Sequence, residues 1–299
     1  MGTLPDLSIR QLEYLVAVAD APSWAIAAED VGVSPSALSQ GLSELEKRVG
    51  VPLFGKEGRR RVLRPSAEVV LDHARQVVSL TGDLAKWAQR TKDADEGSIR
   101  VGMIDIAATH HFPSEMQAFR SQHPNLSFHL RVGPSRPLLE MLAKGQLDLA
   151  VCVEPVQVFP GITTRALFEE KLAIYRPDGG KLGNPRSWGP WVLFPEDSHT
   201  RRIISDALSA RGAPVDVVAD SPQPEVLREM VNLGLGWTVL PTHQAESGDR
   251  PLIPSEILAK RTLVIAFRSN AATDPAVLAL CSALQGKHPP INGARKPIP

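Results

Sequence analysis

Apolar positions near the N-terminus repeat at helical spacing in three short segments. These segments occupy residues 8–19, 24–31 and 35–49. Ser23 and Ser34 precede the second and third segments, where a serine oxygen can accept the first free N–H groups of a helix. Gly32 permits a tight turn between them, and Gly50 is suited to end the third. The pattern predicts three helices, of which the last two are joined by a turn.

The pattern changes after the third helix. Residues 51–54 are predicted to form a short strand, 55–58 a turn and 60–63 a return strand, which together make a β-hairpin. A long helix is predicted over residues 66–90, with its apolar side chains on a coiled-coil-like face. The polar run at 91–97 has the composition of a hinge, so we place a domain boundary there.

From Ser98 onward, predicted strands and helices alternate. Strands are expected at 99–104, 126–132, 147–153, 162–168, 171–176, 191–194, 215–219, 237–241 and 262–267, and helices at 112–122, 136–145, 200–212, 224–234 and 274–285. Such alternation is typical of a parallel sheet covered by helices. Because the pattern starts again about halfway, it predicts two α/β subdomains with a cleft between them.

Composition and charge narrow the class of protein. No apolar run reaches the roughly 18 residues of a membrane span, and the N-terminus lacks the apolar core of a signal peptide. The two cysteines, Cys152 and Cys281, exclude a disulfide framework and fit a cytoplasmic protein without membrane contact. The net charge is zero, but Lys47 to Arg64 contains seven basic residues and one acidic residue. This local excess indicates contact with phosphate groups.

The second and third helices have the layout of a helix-turn-helix, in which the second helix presents small polar side chains to base edges. Glutamine can bind adenine through two hydrogen bonds, and the arginines of the hairpin would hold flanking phosphates. A serine-rich helix face also occurs without DNA, but the basic hairpin directly after it favours DNA binding. The candidate DNA contacts are Ser23, Ser34, Pro35, Ser36, Ser39, Gln40, Ser43, Lys56, Arg59, Arg60, Arg61 and Arg64.

These segments resemble the DNA-binding region of the LysR-type transcriptional regulators in order and spacing. The matching pieces are IRQLEYLVAVAD, Ser23 with Ala27 and Ala28, VSPSALSQ, LSELEKRVGVPLF and GRRRVLRPS. The resemblance covers nearly the whole chain and implies a multidomain α+β protein. Its parts would be a winged helix-turn-helix (residues 1–65), a dimerising linker helix with a hinge (66–97) and a periplasmic-binding-protein-like α/β effector domain of two subdomains (98–299).

The same resemblance implies a regulator that binds double-stranded DNA in a sequence-specific way and senses a small-molecule effector. It implies a homodimer or a homotetramer, and we expect RNA polymerase as a further partner. The chain departs from the family at Gly41, where a second polar residue is usual. We expect this glycine to remove one contact with a base.

A ligand of an open α/β sheet binds beyond the carboxyl ends of the strands, near helix N-termini. The loops at these positions carry both acidic and basic side chains, so an amino acid and an organic acid are both candidate effectors. The candidate effector contacts are Asp105, Ile106, Ser135, Glu154, Pro195, Ser198, Thr200 and Ser221.

An enzyme and a solute-binding protein are the competing classes. The sequence contains no GxSxG elbow, P-loop, HExxH or GxGxxG motif, and an enzyme would leave the basic hairpin unexplained. The missing signal peptide and the isolated cysteines argue against an exported solute-binding protein. Cys152 lies in an apolar segment, where an inert buried thiol is expected rather than a redox sensor. We therefore expect no enzymatic activity, no cofactor and no metal site.

Overall fold

The computed structural model describes residues 6–57, 60–92, 97–157, 159–177, 182–248, 250–269 and 274–286. The chain forms two compact units, one built mainly from residues 1–94 and the other mainly from residues 95–299. The division falls inside the polar run that the sequence suggests as a hinge.

In the described part of the N-terminal unit, four α-helices and one β-hairpin are present. Its elements are α1 (Ile9–Asp20), α2 (Trp24–Asp30), α3 (Pro35–Val49), β1 (Phe54–Glu57), β2 (Arg60–Leu63) and, after a 3-10 turn at Pro65–Ala67, α4 (Glu68–Lys92). Local signals set the helix ends. The Oγ atoms of Ser23 and Ser34 accept the N–H groups of Ile26 and Ala37, at 3.3 and 3.2 Å. Gly50 ends α3 with a φ of 78°.

The core of this unit is a set of leucines contributed by different elements. Leu15 of α1, the α3 residues Leu38, Leu42 and Leu45, and Leu53 before β1 are all fully buried. Because the three α3 leucines recur at helical spacing, they form one buried stripe and leave the opposite face of α3 free of the core.

The hairpin begins three residues later than the sequence suggests, so the prediction of a strand at 51–54 was wrong. The carboxylate of Glu46 on α3 accepts the N–H groups of Leu53 and Phe54, at 2.8 and 3.1 Å. These two backbone groups are therefore held by a side chain of α3. Pairing with β2 starts only at Phe54, which lies opposite Leu63.

Gly41 lies at a close approach of α3 to α1. A Cβ atom at this position would come within 2.8 Å of Cδ2 of Tyr14, a ring that is itself nearly buried. A side chain here would thus point at Tyr14. The structure gives Gly41 a packing role, which the sequence-based expectation of a lost base contact did not include.

Substituting Gly41 by alanine should therefore destabilise the N-terminal unit by about 1–3 kcal/mol, because the added methyl group must displace the Tyr14 ring. Gly82→Ala in α4 is the matched control, since a Cβ there meets nothing within 4 Å. It should instead stabilise the helix by about 0.5–1 kcal/mol. Urea denaturation of both variants measures the difference, and equal shifts would contradict the packing role.

The C-terminal unit contains a mixed sheet flanked by helices. Its strands are β3 (Gly97–Met103), β4 (Leu126–Val132), β5 (Leu149–Val153), β6 (Ile162–Tyr175), β7 (Trp191–Leu193), β8 (Val217–Asp220), β9 (Thr238–Pro241) and β10 (Pro254–Arg268). Its α-helices are α5 (Pro113–Gln122), α6 (Ser135–Ala143), α7 (His199–Ala210), α8 (Pro224–Asn232), α9 (Thr242–Ala245) and α10 (Pro275–Gln285). Six strands pair in the order β4-β3-β5-β10-β6-β9, and β7 pairs with β8.

Two long strands, β6 and β10, run antiparallel to each other and connect the two subdomains. One end of β10, residues 263–266, pairs with β5 of the first subdomain. The other end of the pair carries β9, which binds residues 172–175 of β6. The sheet is therefore not parallel throughout, and the two strands predicted at 162–168 and 171–176 form one strand. The remaining pairs, β3 with β4 and β5 and β7 with β8, are parallel as predicted.

Candidate functional site

The free face of α3 carries the residues predicted to contact DNA. Ser36 and Gln40 are exposed, whereas Ser39 and Ser43 are half-buried beside the leucine stripe. Gln40 makes no side-chain hydrogen bond within the described residues. Its amide is thus available to an outside partner.

The serines of the motif are partly occupied by bonds within the helices. Ser23 and Ser34 cap α2 and α3, Ser34 Oγ lies 2.9 Å from Ser36 Oγ, and Ser43 donates its hydroxyl hydrogen to the Ser39 carbonyl at 3.0 Å. Exposed Pro35 occupies the first turn of α3. These serine hydroxyls are therefore partly used within the motif, whereas the Gln40 amide is not.

Arg61 connects the hairpin to α3. Its Nη1 atom donates to Ser39 Oγ at 3.2 Å, and its Nη2 atom lies 3.9 Å from Glu46. The guanidinium also lies over the rings of Trp24 and Phe54, with its Cζ atom 5.1 and 5.5 Å from the two ring centroids. The structure therefore gives Arg61 a bracing role between hairpin and helix, beyond the phosphate contact predicted from the sequence.

Arg64 is similarly engaged at the base of the hairpin, where its Nε atom donates to the Phe54 carbonyl at 3.0 Å. Three further predicted contacts, Lys56, Arg59 and Arg60, have side chains outside the described part of the chain. Their role stays a prediction.

A cleft of about 600 Å³ opens at the carboxyl ends of β3 and β5 and at the N-terminal turns of α6, α7 and α8. This is the location that the strand-end rule predicts. Its wall is formed by Ile104, Asp105, Thr109, Val132, Gly133, Pro134, Ser135, Arg136, Pro137, Val153, Phe194, Pro195, Asp197, Ser198, His199, Thr200, Pro222, Gln223, Pro224, Glu225, Gln244 and Arg261.

Five of the eight predicted effector contacts line this cleft, and three do not. The five are Asp105, Ser135, Pro195, Ser198 and Thr200. Ile106 is buried in the hydrophobic core, and Glu154 is exposed away from the cleft wall. Ser221 is buried and accepts the N–H of Gln223 at the turn before α8. These three side chains therefore do not line the cleft.

Several charged or polar residues of the wall were not among the predicted contacts, including Arg261, Gln244 and Glu225. Arg261 lies within β10, Gln244 within α9, and Glu225 in the first turn of α8. The one available signal was the charge of Arg261 directly before an apolar strand segment, because a charged group at such a position needs a buried partner.

Arg261 of the cleft wall belongs to a buried ion pair with Glu170. Glu170 Oε2 accepts from Nε and Nη2 of Arg261, each at 2.7 Å, and both residues are nearly inaccessible to solvent. Arg261 Nη1 donates to Thr200 Oγ1 at 2.9 Å, and Glu170 Oε1 lies 2.5 Å from His111 Nε2. Burial alone would raise the pKa of Glu170, but the charge of Arg261 and the hydrogen bonds from His111 and Arg261 hold it at about 2.

The two cysteine side chains of this unit are poorly reactive. Cys152 and Cys281 are buried and unpaired, and burial raises the pKa of their thiols to about 12 and about 11. A neutral buried thiol is a poor nucleophile. Within the described ranges, no group of three or more His, Cys, Asp or Glu side chains is placed to hold a metal ion.

The described helices include none that is long and apolar enough to cross a bilayer. Comparison with protein families then gives two matches. Residues 9–68 match the family described as bacterial regulatory helix-turn-helix protein, lysR family. Residues 92–288, more than half of the chain, match the LysR substrate binding domain.

The chain is also similar to individual proteins over most of its length. The transcriptional dual regulator GltC of Bacillus subtilis is 27% identical over 242 residues, which is 79% of this chain and 81% of GltC. A full-length OxyR variant from Pseudomonas aeruginosa has a TM-score of 0.66 at 24% identity, covering 93% of this chain and 97% of OxyR. Full-length CbnR in complex with its target DNA has a TM-score of 0.59 at 19% identity, covering 94% of this chain and 100% of CbnR. These similarities support the fold, and the family matches show that the chain belongs to the LysR family of DNA-binding transcriptional regulators with an effector-binding domain.

Proposed function

We propose that α3 is the recognition helix, that the β1–β2 hairpin anchors it on the DNA backbone, and that the cleft of the C-terminal unit binds the effector. The position of Gln40 is the observation that supports the proposed DNA-binding role of α3. It is exposed on the face of α3 opposite the buried leucines, and Arg61 fixes the hairpin beside the same helix through Ser39. A groove-docked helix needs both features.

We infer that α4 pairs with α4 of a second copy of the chain. Among the described side chains of this helix, the large apolar residues Val69, Val77, Leu80 and Leu84 are exposed within the chain. Their spacing places them along one face, as in a helix that packs against a like helix. A homodimer is the smallest assembly that this face explains, and a homotetramer of two such dimers is compatible with it.

The proposed setting is the cytoplasm, where the operator DNA and RNA polymerase are located. RNA polymerase enters the proposal as the machinery that a transcriptional regulator controls. The proteins that the chain matches are regulators, and we propose that this chain acts as a regulator and catalyses no reaction.

The effector is proposed to bind reversibly in the cleft, with an amino acid and an organic acid as the two candidate classes. Similarity to a probable hydrogen peroxide-inducible genes activator of Streptomyces viridosporus, at 29% identity over 242 residues, does not make thiol oxidation the signal here. Both cysteines of this chain are buried, and the raised pKa of each thiol disfavours the reactive thiolate.

Gln40→Ala should weaken binding to the cognate operator by about 1–3 kcal/mol and leave binding to unrelated DNA unchanged, because the amide reads a base edge. Arg60→Ala is the contrasting variant. It should weaken binding to all sequences alike and reduce the slope of affinity against salt, because an arginine on phosphate carries no sequence information. Fluorescence anisotropy at several salt concentrations measures both effects. Native affinity in the Gln40 variant would contradict the assignment of the recognition face.

A further inference from the structure

One side of the cleft wall gathers hydrogen-bond acceptors. Asp105 follows β3, and its carboxylate accepts from Gln244 Nε2 at 2.7 Å and from the backbone N–H of Ile106. Glu225 of α8 lines the same cleft and is close enough to act on Asp105 electrostatically. Within the part of the chain that the structure describes, neither carboxylate forms a salt bridge.

The two arginines of the cleft wall are already paired with acids. Arg261 uses Nε and Nη2 on Glu170 and Nη1 on Thr200. Arg136 is exposed and donates to Glu140 at 3.1 Å. Among its side chains, the cleft therefore presents more uncompensated negative than positive charge. The N-terminal turns of α6, α7 and α8 offer N–H groups to an anion, but a ligand that is only an anion would leave Asp105 and Glu225 without a cationic partner.

The side chain of Gln244 gives independent evidence for a ligand, because its carbonyl oxygen lacks a hydrogen-bond donor. Its side chain is only 6% exposed, and its Oε1 atom is buried without a hydrogen-bond partner among the described residues. The bond from Nε2 to Asp105 fixes the orientation of the amide, since the reverse orientation would bring two oxygen atoms together. A buried carbonyl oxygen without a donor is unfavourable. Gln244 also lines the cleft, and its Nε2 atom is bonded to Asp105, so a donor placed beside that carboxylate lies next to the Gln244 amide.

The geometry points to an effector that carries a protonated amine, whose N–H groups bind the carboxylate of Asp105 and Oε1 of Gln244 while Glu225 attracts the charge. This inference rests on the proposed role of the cleft, and it selects an amino compound over a simple organic acid. Burial and, to a smaller extent, the charge of Glu225 raise the pKa of Asp105. The hydrogen bonds from Ile106 and Gln244 and the charge of Arg261 lower it but do not cancel this rise. A bound cation would stabilise the ionised form and lower this pKa again.

The test is a titration of the full chain with matched probes. The amine probes are n-butylammonium, putrescine and the common L-amino acids, and the comparison probes are butyrate and tetramethylammonium, which has charge but no N–H group. Thermal stability reports binding, and carbon-13 NMR of the Asp105 carboxyl group reports its pKa. At least one primary amine should raise Tm further as its concentration rises and should lower the pKa of Asp105, whereas tetramethylammonium and butyrate should do neither.

Asp105→Asn should weaken binding of the responding amine about tenfold, by loss of a charge-assisted hydrogen bond. Glu225→Gln should weaken it about two- to threefold, because this residue is exposed. Glu196→Gln, which removes an exposed acid outside the cleft wall, should leave it unchanged. If Asp105→Asn fails to fold, the Glu225 variant and the NMR titration of the native chain decide.

Two results would overturn the inference in different ways. Binding of carboxylate probes alone, equally well to Asp105→Asn, would refute the amine but retain the cleft as an effector site. Absence of any response to either class would refute the amine and also remove the support for effector binding in this cleft. Operator binding by the same preparation, measured in parallel, separates both results from a failure of the DNA-binding proposal.

Discussion

Replacing Arg261 by methionine is expected to destabilise the C-terminal unit by about 3–5 kcal/mol, the cost of leaving a buried charge without its partner. Glu170 would keep its carboxylate in the interior, with two of its charged hydrogen bonds removed. Thr200 would lose the donor to its hydroxyl oxygen at the same time. Equilibrium unfolding of the full chain in urea, followed by the fluorescence of the tryptophans in this unit, measures the loss.

The double variant Arg261→Met with Glu170→Leu is the control. It removes both charges and so leaves no buried charge without a partner. It should therefore regain most of the free energy of unfolding that the single variant loses. A double variant as unstable as the single one would show that the pair contributes through shape or through the bond to His111 rather than through charge. Glu169→Gln, on an exposed neighbour in the same strand that binds Lys260, should change stability by less than about 1 kcal/mol.

The same pair makes stability depend on acidity in a predictable direction. The pKa of Glu170 is about 2 in the folded chain, against roughly 4.3 for a free glutamate. Because the folded-state pKa is depressed, the contribution is fully present above about pH 4.3 and is lost as the pH falls toward 2. In the double variant this segment of the pH profile should be flatter than in the native chain.

Leu42→Ala in α3 is expected to destabilise the N-terminal unit by about 2–5 kcal/mol, since the substitution leaves a cavity among fully buried leucines. Leu42 is inaccessible to solvent and lies between Leu38 and Leu45 on the inner stripe of the helix. Operator binding should fall in parallel, because α3 presents its outer face correctly only while this stripe is packed. Urea denaturation and DNA titration at matched folded fractions separate the two effects.

Ile26→Ala is the matched substitution on the neighbouring helix α2. Ile26 is 43% exposed, so its replacement should change the free energy of unfolding by no more than about 0.5 kcal/mol. A similar loss in both variants would indicate that the inner and outer faces of the motif had been misassigned.

The helix-turn-helix could be predicted from the sequence to within about one residue, because its signals are local. Each serine cap, the proline in the first turn of α3 and the terminal Gly50 act on residues within one turn of themselves. The start of β1 could not be predicted in this way. It depends on Glu46, whose carboxylate reaches across the fold to the backbone of Leu53 and Phe54.

The full length of β6 and β10 could not be predicted from the sequence for a related reason. Glu170 lies in the middle of β6 and Arg261 in the middle of β10, so each interrupts an apolar pattern when its own segment is read alone. Only the register, which places the two residues opposite each other, makes both buried charges compatible with one long strand on each side. A partner 91 residues away leaves no trace in local periodicity.

The candidate cleft was predictable as a place and less so as a set of side chains. The strand-end rule led to Asp105, Ser135 and Thr200, because each follows or faces the end of a strand. It also selected Glu154, since the rule locates a loop and does not fix which way each side chain points. Gln244 enters the wall only through the fold, from a four-residue helix near the end of the second subdomain.

The path of β10 has a consequence for biosynthesis. The sheet of the first subdomain needs residues 263–266 as the neighbour of β5, although its other strands end at Val153. More than a hundred residues must therefore leave the ribosome before that edge of β5 finds its partner. During translation the nascent chain therefore carries an apolar strand whose backbone N–H and C=O groups are unpaired on one edge. Slow synthesis would prolong this exposure and promote pairing with other chains.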